Sequence, residues 1–209
     1  MDRRVDCDPL RGCRTWPAIV ALRADGEACF KTMRVGMIRK AEEGDAAGLV
    51  AVSIEVWLNT YVREGVSPVF ADYVLSEFTA QKFRSAIGDP DWAIFVSQNR
   101  VGIDGFVTVC STSTPKLAGC SPLEITTLYV QPRHQSSGRG AALLRRALDH
   151  CRTGTGAGSA WLTVEAANSR AIDFYLRHGF RKIGTTPFVI ADQAYENFVM
   201  EIDLRRPVD

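Results

Sequence analysis

The chain has no long apolar run: nothing in its 209 residues approaches the roughly 18 uninterrupted apolar residues a membrane span needs. It has almost no charge excess, with 25 Lys+Arg against 24 Asp+Glu and a net charge of +1. That balance argues against a general nucleic-acid binder, which carries a strongly basic face. There is no CxxC pair and no histidine at zinc spacing among Cys7, Cys13, Cys29, Cys110, Cys120 and Cys151, so no metal is expected. Arg3 and Arg4 precede only a short apolar run, Trp16 to Leu22, which Pro17 interrupts; this is not a secretory signal. The expectation is a cytoplasmic protein with free thiols, a Cys7–Cys13 disulfide being the alternative. No GxxxxGK[ST] run exists, and three residues after Gly140 stands Leu143 rather than a small residue. The Gly154, Gly156, Gly158 run follows a helical pattern, not a strand. Nucleoside triphosphate and dinucleotide readings thereby lose their motifs.

What is present is ordinary globular material. The chain is 46% hydrophobic, 23% charged and 9% aromatic, enough to bury one sizeable core. Residues 1–36 show no sustained period and are expected to be a loosely ordered N-terminal extension, or upstream sequence from a misassigned start at Met1 rather than Met37. Residues 37–205 are expected to form one domain. Met37 to Ala41 predicts a short strand. Asp45 is placed to cap a helix whose face is Ala46, Leu49, Val50, Ser53, Ile54, Trp57, Leu58 and Tyr61. Ser67-Pro68 opens a second helix and Thr79 a third. Strands are expected over Trp92–Ser97, Val101–Cys110, Leu123–Val130 and Ala160–Ala166, and over Arg181–Ile190 and Tyr195–Leu204 after the last helix. Asn168 caps a helix through Arg177, with Gly179 at its left-handed end and Phe180 as the apolar contact beyond. The order predicts a mixed α/β sheet with helices on its faces.

The informative stretch is a strand that feeds Gln135-Ser136-Ser137-Gly138-Arg139-Gly140 and then a helix. The first amides of a helix lack internal partners, and the dipole puts partial positive charge there. Glycines at 138 and 140 let a ligand approach the backbone. Such a turn is an anion cradle suited to a pyrophosphate, with Arg133 and Arg139 adding charge; its simpler role is a tight packing turn.

Leu128-Tyr129-Val130-Gln131-Pro132 followed by Gln135-x-x-Gly138-x-Gly140 resembles the acetyl-CoA signature of the GNAT superfamily of N-acetyltransferases. Leu162-Thr163-Val164-Glu165, then Asn168-x-x-Ala171-x-x-Phe174-Tyr175-x-x-x-Gly179-Phe180, is similar to that family's fifth strand and following helix. The resemblance spans about Met37 to Leu204. Ser136 departs from it, standing where many members have a second glycine. The resemblance implies a mostly antiparallel sheet of about seven strands splayed between strands four and five, with helices on both faces. It implies acetyl-CoA as co-substrate, its pyrophosphate on the amides of Gln135, Ser136, Ser137, Gly138, Arg139, Gly140 and Ala141. The pantetheine arm would pair along Leu128, Tyr129 and Val130 like an added strand. Asn168 is implied as a further cofactor contact, capping alone being its simpler role.

Acyl transfer requires a neutral amine, and a lysine-like amine with pKa about 10.4 is only about 0.04% neutral at pH 7. A base is therefore needed. Glu124, six residues before Val130, stands where several family members place a catalytic glutamate; burial among Leu123, Ile125 and Leu128 would raise its pKa, and an exposed strand-end carboxylate or a salt-bridge partner is its bland alternative. Glu165 is the second choice. A backbone N–H near Tyr129 or Val130 is placed to stabilise the thioester oxygen. Tyr175 occupies the family position for the acid that meets the departing thiolate. No cysteine has an oriented base, so direct transfer through a ternary complex is expected rather than a covalent intermediate.

Trp57, Tyr61, Phe70 and Tyr73 offer an aromatic wall for the acceptor, or plain core. The expectation is an N-acetyltransferase acting on a primary amine of a small molecule or peptide, with no nucleic-acid or membrane partner and a homodimer left open. A non-catalytic acyl-CoA sensor of the same fold is the alternative.

Overall fold

The structure is a computed structural model and describes residues 36–62, 64–190 and 193–205. The expected extension, apart from Gly36, and the alternative Cys7–Cys13 bridge lie outside the described residues, as does most of the turn expected at Ala191-Asp192-Gln193. The elements follow the sequence pattern closely. They are β1 (Met37–Lys40), α1 (Ala46–Tyr61), α2 (Pro68–Glu77), α3 (Ala80–Gly88), β2 (Trp92–Gln98), β3 (Ile103–Cys110), β4 (Glu124–Val130), α4 (Arg139–Gly154), β5 (Ser159–Glu165), α5 (Ser169–Arg177), β6 (Arg181–Ile190) and β7 (Gln193–Asp203).

Local chemistry explains most boundaries. Ser67 and Thr79 accept from the backbone N–H groups of Phe70 and Lys82, and so cap α2 and α3. Asn99 Oδ1 accepts from the N–H groups of Val101 and Gly102; this turn consumes Val101, so β3 starts at Ile103 rather than at the expected Val101. Asp45 sits at the start of α1 but makes no side-chain cap. Its carboxylate instead faces back, taking two hydrogen bonds from Arg39 at 2.6 and 2.8 Å and one from the Glu42 N–H at 2.8 Å, which closes the capping box of the 3-10 turn before α1. At the end of α5, Gly179 adopts φ 85°. The Gly179 and Phe180 N–H groups return to the carbonyls of Leu176 and Tyr175 at 3.1 Å each, and the Phe180 and Tyr175 rings meet at 5.3 Å. This is the expected left-handed helix end with its apolar clasp.

The seven strands form one sheet in the order β1-β2-β3-β4-β5-β7-β6, antiparallel except for β4 and β5. Its two faces carry separate cores. Ile125, Leu128 and Val130 of β4 and Leu162 and Val164 of β5 pack against α4 and α5. Tyr129, Phe106 and Ile94 pack against α1, α2 and α3. All seven residues of β4 are buried, which fits a central strand covered on both sides. Along α1 the buried line is Ala46, Leu49, Val52, Ser53, Val56, Trp57 and Thr60; of the expected face Ala46, Leu49, Ser53 and Trp57 lie on it, while Val50, Ile54, Leu58 and Tyr61 are only partly buried. The helix is apolar over most of its circumference, so the sequence alone did not fix its rotation. Ser53 and Thr60 are accommodated by donating to the carbonyls four residues back.

One feature of β4 positions everything that follows. Thr108 of β3 pairs with Thr127, but the next residue, Val109, pairs with Ile125. Thr126 is therefore an extra residue, a β-bulge that bends the strand. Among the described residues β4 and β5 share a single rung, Glu124 with Trp161, with the Trp161 N–H donating to the Leu123 carbonyl at 3.1 Å. Beyond the bulge the two parallel strands part.

Candidate functional site

The wedge between β4 and β5 has an open end and a closed end, and the candidate residues divide between them. At the open end, Val130 leads into a 3-10 turn at Pro132–His134 and then the loop that starts α4. Gln135 Nε2 donates to the Val130 carbonyl at 3.0 Å, and the Ser137 hydroxyl donates to the His134 carbonyl. Gly138 takes φ 82° directly before the helix, a conformation glycine adopts without steric cost. The first α4 ladder bond joins the Ala142 N–H to the Gly138 carbonyl at 3.0 Å, so the N–H groups of Arg139, Gly140 and Ala141 precede the ladder. A Cβ at Gly140 would meet only ordinary contacts with Phe174 and Val130, at 3.7–3.9 Å. Packing does not require glycine there.

The arginines expected to charge this loop are otherwise engaged. Arg139 is 5% exposed and pairs with the buried Asp104 at 2.8 Å, also donating to Ser137. Arg133 donates to Glu55 at 2.6 Å. An arginine at the first position of a helix naturally folds back toward a carboxylate on the adjacent strand, and a buried charge needs such a partner. Both guanidiniums are thus partnered by carboxylates, while the Arg139 backbone N–H lies ahead of the α4 ladder. A second guanidinium, that of Arg170 on α5, also reaches the loop. Its Nη2 donates to the Ser136 hydroxyl at 2.6 Å, and its buried Nη1 has no partner. Sequence reasoning missed it because 34 residues separate it from the loop. Ser136 has φ 59°, the one described non-glycine residue with positive φ; holding serine there costs about 1–2 kcal/mol.

At the closed end stands Glu124. It is 0% exposed, which excludes the exposed strand-end alternative. Burial pushes its carboxyl up to about 7 against the opposing effects of the Ser113 hydrogen bond and the Lys116 ammonium. Ser113 donates to Oε2, and Oε1 has no protein partner. The Thr108 and Thr126 hydroxyls, from the same level of β3 and the bulge, bond to each other at 2.5 Å. Glu165 lies at the far end of β5 beside Asn197 of β7, so the two carboxylates considered as the base are at opposite ends of the wedge.

α5 flanks the wedge from the α4 side. The Asn168 carbonyl oxygen caps the helix by accepting from the Ala171 N–H at 3.1 Å. Tyr175 is fully buried between Phe174 and Phe180. Its hydroxyl has no partner, and burial raises its pKa, so it keeps its proton. On the opposite face the aromatic wall forms, larger than expected. Trp57 meets Tyr61, Phe70 and Tyr73 at 4.6–5.3 Å, and Phe188 and Tyr195 of the β6–β7 hairpin extend it. Leu128 and Val130 point into the α4 core and Tyr129 into the α1 core, so β4 offers the wedge its backbone.

Among the described residues no cluster of three metal-ligating side chains occurs, and no helix is long and apolar enough to cross a membrane. Cys110, Cys120 and Cys151 are free thiols.

Residues 114–180 match the family model described as Acetyltransferase (GNAT) family. An uncharacterized N-acetyltransferase of Mycobacterium tuberculosis is 27% identical over 134 residues, covering 64% of this chain and 81% of that protein. Its Mycobacterium bovis counterpart matches equally. In structure, the PaiA N-acetyltransferase of Thermoplasma acidophilum in complex with coenzyme A aligns with a TM-score of 0.65 at 22% identity, over 80% of this chain and 98% of the other. A spermidine N-acetyltransferase SpeG chimera of Vibrio cholerae and hSSAT aligns with a TM-score of 0.59 at 22% identity, over 81% of this chain and 95% of that one.

Proposed function

We propose, from the premise that this chain belongs to the GNAT superfamily, that it moves the acetyl group of acetyl-CoA directly to a primary amine of a small molecule or peptide. The observation that carries this reading is the wedge itself. β4 and β5 share one rung and then part, with an amide cradle at the open end and a buried, half-partnered carboxylate at the closed end. We place the activity in residues 37–205.

In this reading the N–H groups of Gln135 to Ala141 hold the diphosphate of acetyl-CoA, with Gly138 and Gly140 admitting it and Asn168 flanking it. Arg170 turns its unpartnered Nη1 toward the same phosphates. The backbone of Leu128 to Val130 receives the pantetheine arm as β-augmentation, which brings the thioester toward the bulge. Glu124 accepts a proton from the acceptor's ammonium. The amine nitrogen then bonds to the acetyl carbon, and a backbone N–H near Tyr129 or Val130 meets the oxyanion. As the carbon–sulfur bond breaks, the proton shed by the former amine nitrogen passes to the leaving sulfur, to which the Tyr175 hydroxyl donates a hydrogen bond; its raised pKa favours hydrogen bonding over outright proton loss. Alignment of amine and thioester supplies much of the rate. The aromatic wall of α1, α2 and the β6–β7 hairpin borders the acceptor side. The likeness to a spermidine N-acetyltransferase supports a small-molecule amine.

The test is to incubate the protein with acetyl-CoA and a panel of primary amines and follow free thiol. Release that requires both protein and amine is expected. Release that never exceeds the protein-free rate across the panel, in a protein whose melting temperature rises with coenzyme A, would assign a sensor instead.

A further inference from the structure

We propose that Ser113 is a positioning residue that sets the protonation of Glu124, so that the loop 111–122 tunes the pH at which transfer runs. This rests on the assignment of Glu124 as the base.

The loop between β3 and β4 is not a slack connection. Its two ends are joined by the Ser113 N–H donating to the Pro122 carbonyl at 2.9 Å. Ser121 ties it to β5 twice, through its hydroxyl to the Ser159 carbonyl at 2.7 Å and through its own carbonyl to the Trp161 indole N–H at 2.8 Å. On β6, Gly184 leaves the space that Leu117 fills; a Cβ there would stand 2.5 Å from Leu117 Cδ1. These anchors hold Ser113 at 2% exposure, with its hydroxyl on Glu124 Oε2. Water has no access to that oxygen, so Ser113 takes the place of solvent as the donor to the carboxylate.

The other groups acting on Glu124 are few. From the loop comes the Lys116 ammonium, from β3 the Cys110 thiol, and from β5, at the single rung, the uncharged Trp161. The indole N–H of Trp161 is already bound to Ser121. Burial favours the protonated carboxyl, while the Ser113 hydrogen bond and the Lys116 charge favour the ionised one. Only the ionised form can take a proton from an amine. Removing the hydroxyl leaves burial with weaker opposition, so Glu124 should stay protonated to higher pH, with its position unchanged once it ionises.

The protonated carboxyl of Glu124 can be followed by infrared difference titration of the full chain, using Glu124→Gln to identify its band. The midpoint should rise by about one pH unit in Ser113→Ala and return in Ser113→Thr, which keeps a hydroxyl. The acid limb of kcat/KM with acetyl-CoA should move by the same amount, with the high-pH plateau kept. Lys116→Gln, at an exposed position, should give a smaller upward shift and serves if Ser113→Ala fails to fold. A midpoint unmoved in both variants overturns the proposal. Glu124→Gln separates the two readings. Full turnover in it overturns the base assignment, whereas lost turnover with an unmoved midpoint in the loop variants overturns the role of Ser113 alone.

Discussion

The two ends of β4 solve opposite electrostatic problems. On the proposed reading its C-terminal end receives a multiply charged anion, yet Arg133 and Arg139 are paired with Glu55 and Asp104. What is left is backbone: the amides ahead of the α4 ladder, a glycine at φ 82°, and one guanidinium brought from α5. On the same reading its N-terminal end keeps a carboxylate ready to accept a proton near neutral pH. It does so with side chains alone, by burying Glu124 and giving it one hydroxyl donor. The first end is made of local backbone geometry. The second is made of contacts among β3, β4 and a loop. Their separation is useful, because coenzyme binding and proton transfer can be damaged independently.

That independence can be broken in order of effect. Glu124→Gln should lower kcat by about 10²–10⁴, the range of general acid–base catalysis, while leaving the affinity for coenzyme A near its original value; a calorimetric titration beside the thiol assay checks both. Gly138→Asp should do the reverse. A carboxylate in the cradle faces the diphosphate, and like charges in contact cost several kcal/mol, so the Kd for coenzyme A should rise about 100-fold or more. Arg170→Gln should weaken coenzyme A by about tenfold, the worth of a charge-assisted hydrogen bond. It should also flatten the salt dependence of binding, with no effect on a phosphate-free acetyl thioester such as S-acetyl-N-acetylcysteamine. Tyr175→Phe should have the smallest effect, lowering kcat severalfold while the melting temperature holds or rises, since its hydroxyl has no partner to lose.

The pH dependence sharpens the same contrast. Glu124 is raised to about 7 from its ordinary value of 4.5, so the folded state binds the proton more tightly than the unfolded chain. The stability this group contributes is full below about pH 4.5 and is lost as pH rises through about 7. Activity runs the other way, because the base works only when ionised. Thermal unfolding from pH 4.5 to 8 should show that decline in the parent protein and a flatter curve in Glu124→Gln, while kcat/KM rises over an acid limb near pH 7.

The elements of the fold were legible because they rest on short-range rules. Ser67 and Thr79 cap their helices as their chemistry requires, and Gly179-Phe180 closes α5. Asp45 broke the pattern because it already belongs to a 3-10 turn, where its carboxylate serves the Glu42 N–H and Arg39 instead. The rotation of α1 was not legible, since apolar residues surround most of it and packing against the sheet made the choice. At the site, the left-handed turn ahead of α4 was legible from glycine spacing. Its electrostatics were not, because whether an arginine faces a ligand or a buried aspartate depends on what lies across the sheet.

The linear chain by itself determined where backbone amides are left over and where the strand before them begins and ends, since helix starts, glycine torsions and apolar alternation act over a few residues. Only the tertiary structure decided that Thr126 bulges, that β4 and β5 part after one rung, that Arg170 joins Arg139 at the loop, and that Ser113 is the donor to Glu124. Each of those depends on groups distant in sequence competing for the same partner, and such a competition is settled only when the sheet has brought them together.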